Sequence, residues 1–411
     1  MRQSSFFSKT TKQHPEDELS KNAQLLIRGG FIAKSSAGVY SLLPLGLRVL
    51  NRINTVVREE MDAIHGQELF MPSLIHKSYW QASNRWDVDI VYRAGKENAK
   101  GEFEAEYGLG WTHEEVIASI AKKFIESYKD LPRSVYQIQT KFRREARPQA
   151  GLLRGREFLM KDLYSFHTSH EDLDRFYKEA MEAYTKIFNR LNLETIITEA
   201  SGGAFTKEFT HEFQVPHTAG EDTIYCSPRW EYAKNKEVYD PSRENQDGVI
   251  EKRSIEVGNI FRLGTRFAES FNLFYTDQNG EKKPVVMGSY GIGPTRVMGT
   301  IAEIYNDERG LVWPESSAPF QVHLLLLPGS SDEIRAQAEA CYTKLQKKKI
   351  TVLYDDRDGV TAGEKFADAD LIGIPYRVLI STKTAPDFEV KKRTEKEGKR
   401  MSMDAVFTIL K

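Results

Sequence analysis

The run Tyr136-Gln-Ile-Gln-Thr-Lys-Phe142, answered by Glu157-Phe-Leu-Met-Lys-Asp-Leu-Tyr-Ser-Phe166, decides the fold of this chain. The first alternates polar and apolar residues as a strand does, and the second reads as its hairpin partner. The connection, residues 143–156, is polar, rich in arginine and carries Pro148, Gly151 and Gly155. Downstream, 170–191 has amphipathic helical spacing. Ser169 serves as its N-cap, and Asp172 imperfectly replaces the Glu or Gln of a capping box. Upstream, Val116, Ile117, Ile120, Ala121 and Phe124 form a helical stripe over 112–130. Leu47, Leu50, Ile53, Val57 and Met61 do the same over 42–64, before a short strand at 68–71 that ends at Pro72. A further helical pattern covers 22–31. Strands are expected at 254–261 and 285–290, with 291–304 turning into a helix. Hairpin strands with helices inserted predict an α+β domain with an antiparallel sheet.

The character changes after Trp313-Pro314 and Ala318-Pro319, a natural boundary. Strand patterns at 322–327, 351–354 and 376–380 alternate with helical ones at 332–348 and 363–372. That order predicts a small α/β domain with a largely parallel sheet. The expected organisation is therefore 1–317 and 318–411. The polar stretch 226–253, with Pro228, Pro241 and Gly248, reads as a surface excursion from the first domain.

Composition narrows the function classes. A chain of 411 residues is too long for one ordinary core, so two to three domains are expected. A formal net charge of -1 gives no global field for nucleic acid, and any RNA contact must come from local basic patches. Cys226 and Cys341 form no CxxC pair, which argues against a disulfide framework or a cysteine-rich zinc site and suits a reducing cytoplasm. No apolar run approaches the ~20 residues of a membrane span. The N-terminus lacks a signal-peptide pattern, and Glu16, Asp17 and Glu18 argue against a transit peptide.

Three segments carry chemistry. In Lys141-Phe-Arg-Arg-Glu145, Arg143 sits at a strand end where its guanidinium fork can bind phosphate or carboxylate. A fixed cation between two anions that must react removes much of their repulsion. Glu145 can accept from an exocyclic amine, and the Phe158 ring can stack on a base. The bare pattern equally fits a solvated charged hairpin. In Gly288-Ser-Tyr-Gly-Ile-Gly-Pro-Thr-Arg296, glycines permit close backbone approach by a ligand, and Arg296 follows at a helix start. The spacing is neither Walker A nor a convincing dinucleotide fingerprint. In Trp111-Thr-His-Glu-Glu115, Thr112 and Glu114 face the same way if extended, so that a hydroxyl and a carboxylate can hold an ammonium or iminium group. Thr112 with Glu115 also fits a capping box. His211-Glu-Phe-Gln is not HExxH, so His211 and His217 give no zinc-protease reading. In the tail, Arg357, Lys365, Arg377, Lys391, Lys392, Arg393, Lys396, Lys399 and Arg400 concentrate positive charge near Phe366 and Phe388, a candidate RNA surface. Interleaved Asp and Glu also allow a solvated charged face.

Taken together and in order, these segments resemble the three signature motifs of class II aminoacyl-tRNA synthetases. More narrowly, the chain resembles the bacterial-type prolyl-tRNA synthetases over nearly its whole length. The matching runs are Arg48-Val-Leu50 through Val57-Arg-Glu-Glu-Met61 with Met71-Pro72, Thr112-His-Glu-Glu-Val116, Tyr136 to Arg143, and Arg156 to Asp162 with Tyr164-Ser-Phe-His167. His211-Glu-Phe-Gln-Val215, Glu256-Val-Gly258, Gly291-Ile-Gly293 with Thr295-Arg296, and Ala367 to Pro375 complete the set.

The resemblance implies a class II catalytic domain with an antiparallel sheet, plus a C-terminal α/β anticodon-binding domain. It implies a homodimer through motif 1, with L-proline, ATP and tRNA(Pro) as substrates and a cytoplasmic place. Arg143 would touch the α-phosphate and the substrate carboxylate, and Glu145 would read adenine. Arg154 would reach the terminal phosphates, and Phe158 would stack on the base. Gly291 and Gly293 would let the backbone approach the nucleotide, and Arg296 would hold the γ-phosphate. Thr112 and Glu114 would grip the proline nitrogen, with Asp162, His211 and Phe213 in the pocket wall. Arg357, Lys391 and Arg393 would contact tRNA. Mg²⁺ would bridge the phosphates, and the sequence names no protein ligand for it.

Departures are also visible. Only 226–253 stands where many bacterial relatives carry an editing insertion, so no hydrolysis of alanyl-tRNA(Pro) in cis is expected. Trp111 replaces an expected Pro, and 201–210 departs from the family's small-residue run. The rivals are another class II synthetase, such as a threonyl or glycyl enzyme, and a non-catalytic paralogue. The first is disfavoured because the Thr112 loop and the His211 segment resemble the prolyl family and no zinc-ligand set for threonine is visible in this sequence, and the second because Arg143, Glu145, Arg154 and Arg296 are all present.

Overall fold

The computed structural model describes residues 1–146, 148, 150–242 and 248–410. Arg147 and Gln149 of the hairpin connection, and 243–247 of the polar excursion, lie outside the described residues. The chain divides into two compact units. One comprises Met1–Ser35, Tyr40–Ile53 and Ile301–Lys411, and the other Ser36–Val39 and Asn54–Thr300.

In the second unit the hairpin forms as read. Strands Arg133–Phe142 and Glu157–His167 pair antiparallel from Arg133↔Phe166 to Phe142↔Glu157. They belong to a nine-stranded sheet. Its order is Thr210–Pro216, Ile196–Ala200, Ala233–Asn235, Asp222–Cys226, Ile250–Gly264, Val286–Ile292, Glu157–His167, Arg133–Phe142 and Gln67–Glu68. Its pairings are antiparallel, save Ala233–Asn235 on Ile196–Ala200 and Gln67–Glu68 on Arg133–Phe142. The polar excursion is therefore not a bare loop, because it adds Ala233–Asn235 to the sheet and pairs it with Asp222–Cys226.

Helix His170–Arg190 covers one face of this sheet. The Ser169 hydroxyl accepts from Asp172 N, as a cap should. The Asp172 carboxylate turns instead to His167 and Arg175, so the reciprocal half of the box is missing. Tyr177, Tyr184, Ile187 and Phe188 of the helix are fully buried. Gly258 lies beneath them, and a Cβ there would come within 3.2 Å of Phe188 Cζ and 3.3 Å of Tyr184 Cδ1. Glycine is what lets the helix sit this close. The expected helix over 112–130 ends early, as Glu114–Ala121, with a separate turn at Tyr128–Asp130. The strand expected at 68–71 shrinks to Gln67–Glu68.

In the first unit the tail strands form a five-stranded sheet in the order Val352–Asp355, Val322–Leu326, Tyr376–Ile380, Phe388–Lys392, Lys399–Met401. Only the first three are parallel, and the last two pairings are antiparallel, so the sheet is mixed rather than largely parallel. The reason is the connection 381–387, which is too short for a crossover and must reverse the chain. Helix Ala362–Ile372 starts at a Thr361/Glu364 capping box. Among the described residues, no helix is long and apolar enough to cross a membrane.

Candidate active site

Strand pairing decides which side chains share the face of the large sheet left open by helix His170–Arg190. One rung aligns Glu212, Asn259, Gly291, Asp162 and Gln137 across five strands. Directly opposed residues lie on the same face. Above this rung sit two cavities of ≈ 190 and ≈ 290 Å³ that share Arg143, Glu256 and Arg296 as lining. Glu145 and Arg154 line the smaller one, with Glu221 and Asp222. Thr112, Glu114, Phe158, Asp162, Gly291 and Gly293 line the larger. A Cβ built on Gly291 meets no atom nearer than 3.8 Å, so the missing side chain leaves usable space.

The Arg143 guanidinium lies 5.2 Å from the centre of the Phe158 ring, and Nε is buried without a partner. Burial and then the nearby Arg296 charge lower its pKa. Arg296, in the first turn of helix Pro294–Ile304, donates from Nη1 to both the carboxylate and the backbone oxygen of Glu256, each at 2.9 Å. Arg154 bridges Glu145 (3.0 Å) and Glu221 (2.8 Å). Two cations facing one space, with at least one donor unsatisfied, suit a polyanion.

The other end of the larger cavity suits a cation. Thr112 Oγ1 donates to Glu114 Oε2 at 2.6 Å, and Ser289 Oγ donates to Glu114 Oε1 at 3.1 Å. Thr112 is therefore not the cap of the following helix, whose N-cap is His113, and the capping-box reading fails. Behind it lies a closed network. Lys141 Nζ pairs with Asp162 Oδ1 (2.8 Å) and donates to His113 Nδ1 (2.6 Å), while His113 Nε2 donates to the Pro72 carbonyl (3.0 Å). Gln137 and Tyr164 each donate to Asp162 Oδ2 at 2.9 Å. Burial, reinforced by the Lys141 charge, pushes His113 down to about 4, so it stays neutral. Burial pushes the Asp162 carboxyl up, but the Lys141 charge and the hydrogen bonds outweigh it and hold it below the usual range.

Two residues expected in the pocket wall are elsewhere. His211 and Phe213 flank Glu212 on the same strand and so point to the helix side. Phe213 packs between Tyr184 and Phe188, and His211 bonds the Tyr177 hydroxyl at 2.8 Å. Their neighbour Glu212 is the one that lines the cavity. Burial and then the Glu256 charge push its carboxyl up to about 8. The Gln214 and Asn235 amides donate to it at 2.9 and 3.0 Å.

The three tail residues expected at RNA are engaged or covered. Arg393 clamps Asp307 at 2.6 and 2.7 Å with 4% of its side chain exposed. Arg357 pairs with Asp355 and Asp368, and Lys391 is buried. Guanidiniums already neutralised by carboxylates have little charge to offer a phosphate, so a direct contact from Arg393 or Arg357 is not what this surface presents. Lys392, Lys396, Lys399 and Arg400 are the exposed cations of the same region. Among the described residues, no group of three or more His, Cys, Asp or Glu is arranged to hold a metal ion.

The sequence reading missed Glu212, Glu256, Asn259, Ser289 and Tyr164 as cavity residues. The signal for Glu212 and Asn259 was strand parity with Asp162, which becomes readable only once the register is known.

Comparison with known proteins agrees with this architecture. The family model for the tRNA synthetase class II core domain (G, H, P, S and T) matches residues 97–305, and the anticodon binding domain model matches 321–411. A proline–tRNA ligase of Geobacillus kaustophilus is 36% identical over 554 aligned positions, covering 97% of this chain and 96% of its own. One of Bacillus cytotoxicus is 34% identical, covering 100% and 99%. Among solved structures, the prolyl-tRNA synthetase of Cryptosporidium parvum with halofuginone and AMPPNP superposes with a TM-score of 0.79 at 18% identity, covering 95% of this chain and 76% of that one. The Giardia lamblia enzyme with prolyl-adenylate gives 0.76 at 20% identity, covering 93% and 74%. Identities that low speak for the fold. The family models and the full-length bacterial relatives together show that the chain belongs to the prolyl-tRNA synthetases, class II aminoacyl-tRNA ligases.

Proposed function

We propose that the paired cavities join L-proline to AMP and then pass the prolyl group to the 3′ end of tRNA(Pro). The observation that carries this is Arg143, which lines both cavities at once. One cavity is edged by cations for a triphosphate, and the other ends in the Thr112–Glu114 clasp for a cationic nitrogen. Proline enters with its nitrogen on that clasp, while its carboxylate and the α-phosphate of ATP meet at Arg143. The Arg143 charge offsets their repulsion as the carboxylate oxygen attacks phosphorus and pyrophosphate leaves. Phe158 stacks on adenine, and Glu145 accepts from its amine. Arg154 and Arg296 exchange their present carboxylate partners for the terminal phosphates. The Gly291–Gly293 backbone lies along the nucleotide, and Asp162 holds the pocket floor. The 3′-terminal hydroxyl of tRNA then takes the prolyl group and releases AMP.

A magnesium ion would add charge neutralisation between the phosphates. The donor chemistry fits one, since Asp222 and Glu256 line the same cavity as Arg143 and Arg296, and magnesium takes one or two carboxylates together with substrate phosphate oxygens. Glu256 and Asp222 are the carboxylates at hand to hold it.

The functional boundary is placed at 317/318, with tRNA anticodon binding on the exposed cations of 392–400. Phe70 (76% exposed) and Leu74 (50%) flank Met71-Pro72 and support a homodimer through that segment. ATP and tRNA as substrates support a cytoplasmic place. The Geobacillus alignment runs well past the 411 residues of this chain, so that relative carries a long stretch this one lacks. This supports a chain without editing in cis.

The test is ATP–pyrophosphate exchange with each of the twenty amino acids. Proline should dominate and alanine should support weak exchange, because a small apolar pocket discriminates poorly. Exchange driven chiefly by an amino acid other than proline, or by none, overturns the reading.

A further inference from the structure

Arg85 belongs to none of the signature segments, yet it is among the most buried charged groups of the described chain, at 1% exposure. It follows helix Lys77–Ala82, where Asn84 takes a positive φ of 58° and the Arg85 amide returns to the Trp80 carbonyl at 2.8 Å. Its guanidinium lies 4.2 Å from the Trp111 ring centre, with Phe205 and Phe267 on other sides. Trp111 thus gives the cation a face to rest on. A single nitrogen, Nη1, reaches Glu114 Oε2 and Glu115 Oε1, both at 3.1 Å, while Nε and Nη2 are buried without partners. With so few hydrogen bonds made, burying this charge merely to fill a core would be strongly unfavourable.

The two carboxylates explain why the charge is there. Glu114 and Glu115 are both buried and adjacent in sequence, and two like charges at such a site do not both ionise without a cation. Glu115 is further held by Ser83 Oγ at 2.6 Å and keeps Oε2 unpaired. Other groups act on Glu114: His113 on its own helix start, Lys141 and Arg143 from the hairpin, Tyr164 from the partner strand, and the Thr112 and Ser289 hydroxyls. Lys141 is committed to Asp162, and Arg143 lines both cavities without an ion pair to either glutamate among the described residues, so Arg85 is the cation that touches both.

We propose that Arg85 is a positioning residue for the amino-acid site: it offsets Glu115 so that Glu114 keeps the negative charge that grips the substrate's cationic nitrogen. This rests on the proline reading above. In Arg85→Met, one of the two glutamates takes up a proton, and Glu114 loses part of its hold on proline.

The test is proline- and ATP-dependence of pyrophosphate exchange in the full chain. Wild-type exchange with proline comes first, and its absence overturns the proline reading rather than this one. Arg85→Met should raise the KM for proline by a factor on the order of 100 at neutral pH, with the KM for ATP nearly unchanged. That KM should fall again as pH is raised and the second glutamate ionises. The double variant Arg85→Met/Glu115→Gln removes the competing charge and should recover most of the affinity. Arg85→Lys keeps the charge that lets both glutamates ionise while disturbing the stacking, and should stay within about threefold of wild type. An unchanged proline KM in Arg85→Met, or a loss that neither raised pH nor Glu115→Gln relieves, overturns the proposal in favour of packing alone. Should Arg85→Met fail to fold, a large loss of proline affinity in a folded Arg85→Lys overturns it equally.

Discussion

The two faces of the large sheet are built from the same strands and obey different rules. On the helix side, the rung Phe213, Gly258, Ile292, Lys161 and Ile138 lies under Tyr184 and Phe188. On the open side, one residue along, the rung is Glu212, Asn259, Gly291, Asp162 and Gln137. Even the charged member of the helix-side rung is made to fit: Lys161 Nζ donates to the Tyr290 carbonyl and the Tyr184 hydroxyl, and burial pulls its pKa far down. On the open side, polar atoms are left crowded, as with Glu212, or unpaired, as with Arg143 Nε. A single-residue step along a strand thus separates groups that stabilise the fold from groups held ready for a ligand.

The comparison predicts opposite signatures for substitutions on the two faces. Arg143→Ala should reduce proline-dependent pyrophosphate exchange by about 10³-fold, with little change in thermal unfolding. Near-normal exchange would break the assignment of chemistry to the open face. Phe213→Ala should do the reverse. A fully buried ring removed from between Tyr184 and Phe188 should cost about 3–5 kcal/mol by denaturant unfolding, with the proline KM of the folded fraction retained. A large rise in that KM with stability preserved would return Phe213 to the pocket.

How far the sequence reached follows the same division. The hairpin was legible because its alternation and its turn lie close together, and Arg143 at its mouth came with it. Arg296 was legible through the glycine run that precedes it. Thr112 and Glu114 were found as a pair, although the reason they meet is a direct 2.6 Å bond rather than an extended loop. What was not legible depends on distant partners. Choosing His211 and Phe213 over Glu212 required knowing that Glu212 opposes Asn259, and that helix His170–Arg190 covers the other side. A bulge between Phe213 and Gln214 further hides the parity of that strand. Arg393 looked like a free cation because Asp307, which it clamps, lies 86 residues away. Arg85 carried no motif, and its meaning comes from two glutamates some 30 residues on.

A pH experiment sharpens the open-face half of the comparison. Glu212 holds its proton up to about 8, whereas the same carboxyl titrates near 4.5 in an unfolded chain. Its contribution to stability is therefore fully present below 4.5 and is lost as pH rises through 8. Glu212→Gln, measured in chelator, should lose less stability than wild type between pH 6 and 9, by an amount on the order of 1–3 kcal/mol. Identical slopes for the two proteins would mean that the carboxylate wall is already compensated, and that the open face is less poised than its geometry indicates.

The smallest effect tests the boundary between the faces most closely. His211 sits beside Glu212 in sequence but belongs to the helix side, with its ring edge-on to Tyr177 at 5.7 Å and 66°. The Tyr177 hydroxyl has one proton, which goes to the Ile260 carbonyl at 3.1 Å, so the 2.8 Å bond to His211 has Nδ1–H as donor and the phenol oxygen as acceptor. Burial and then the Arg262 charge keep the imidazole pKa below its ordinary value, which favours this neutral tautomer at physiological pH. His211→Ala removes that donor and part of an aromatic contact, and nothing that faces the cavity. It should cost about 1 kcal/mol of stability and leave the KM values for proline and ATP within about twofold of wild type. A proline KM raised tenfold at unchanged stability would mean that the imidazole reaches the substrate after all, and that the strand Thr210–Pro216 turns its other edge to the pocket when proline is bound.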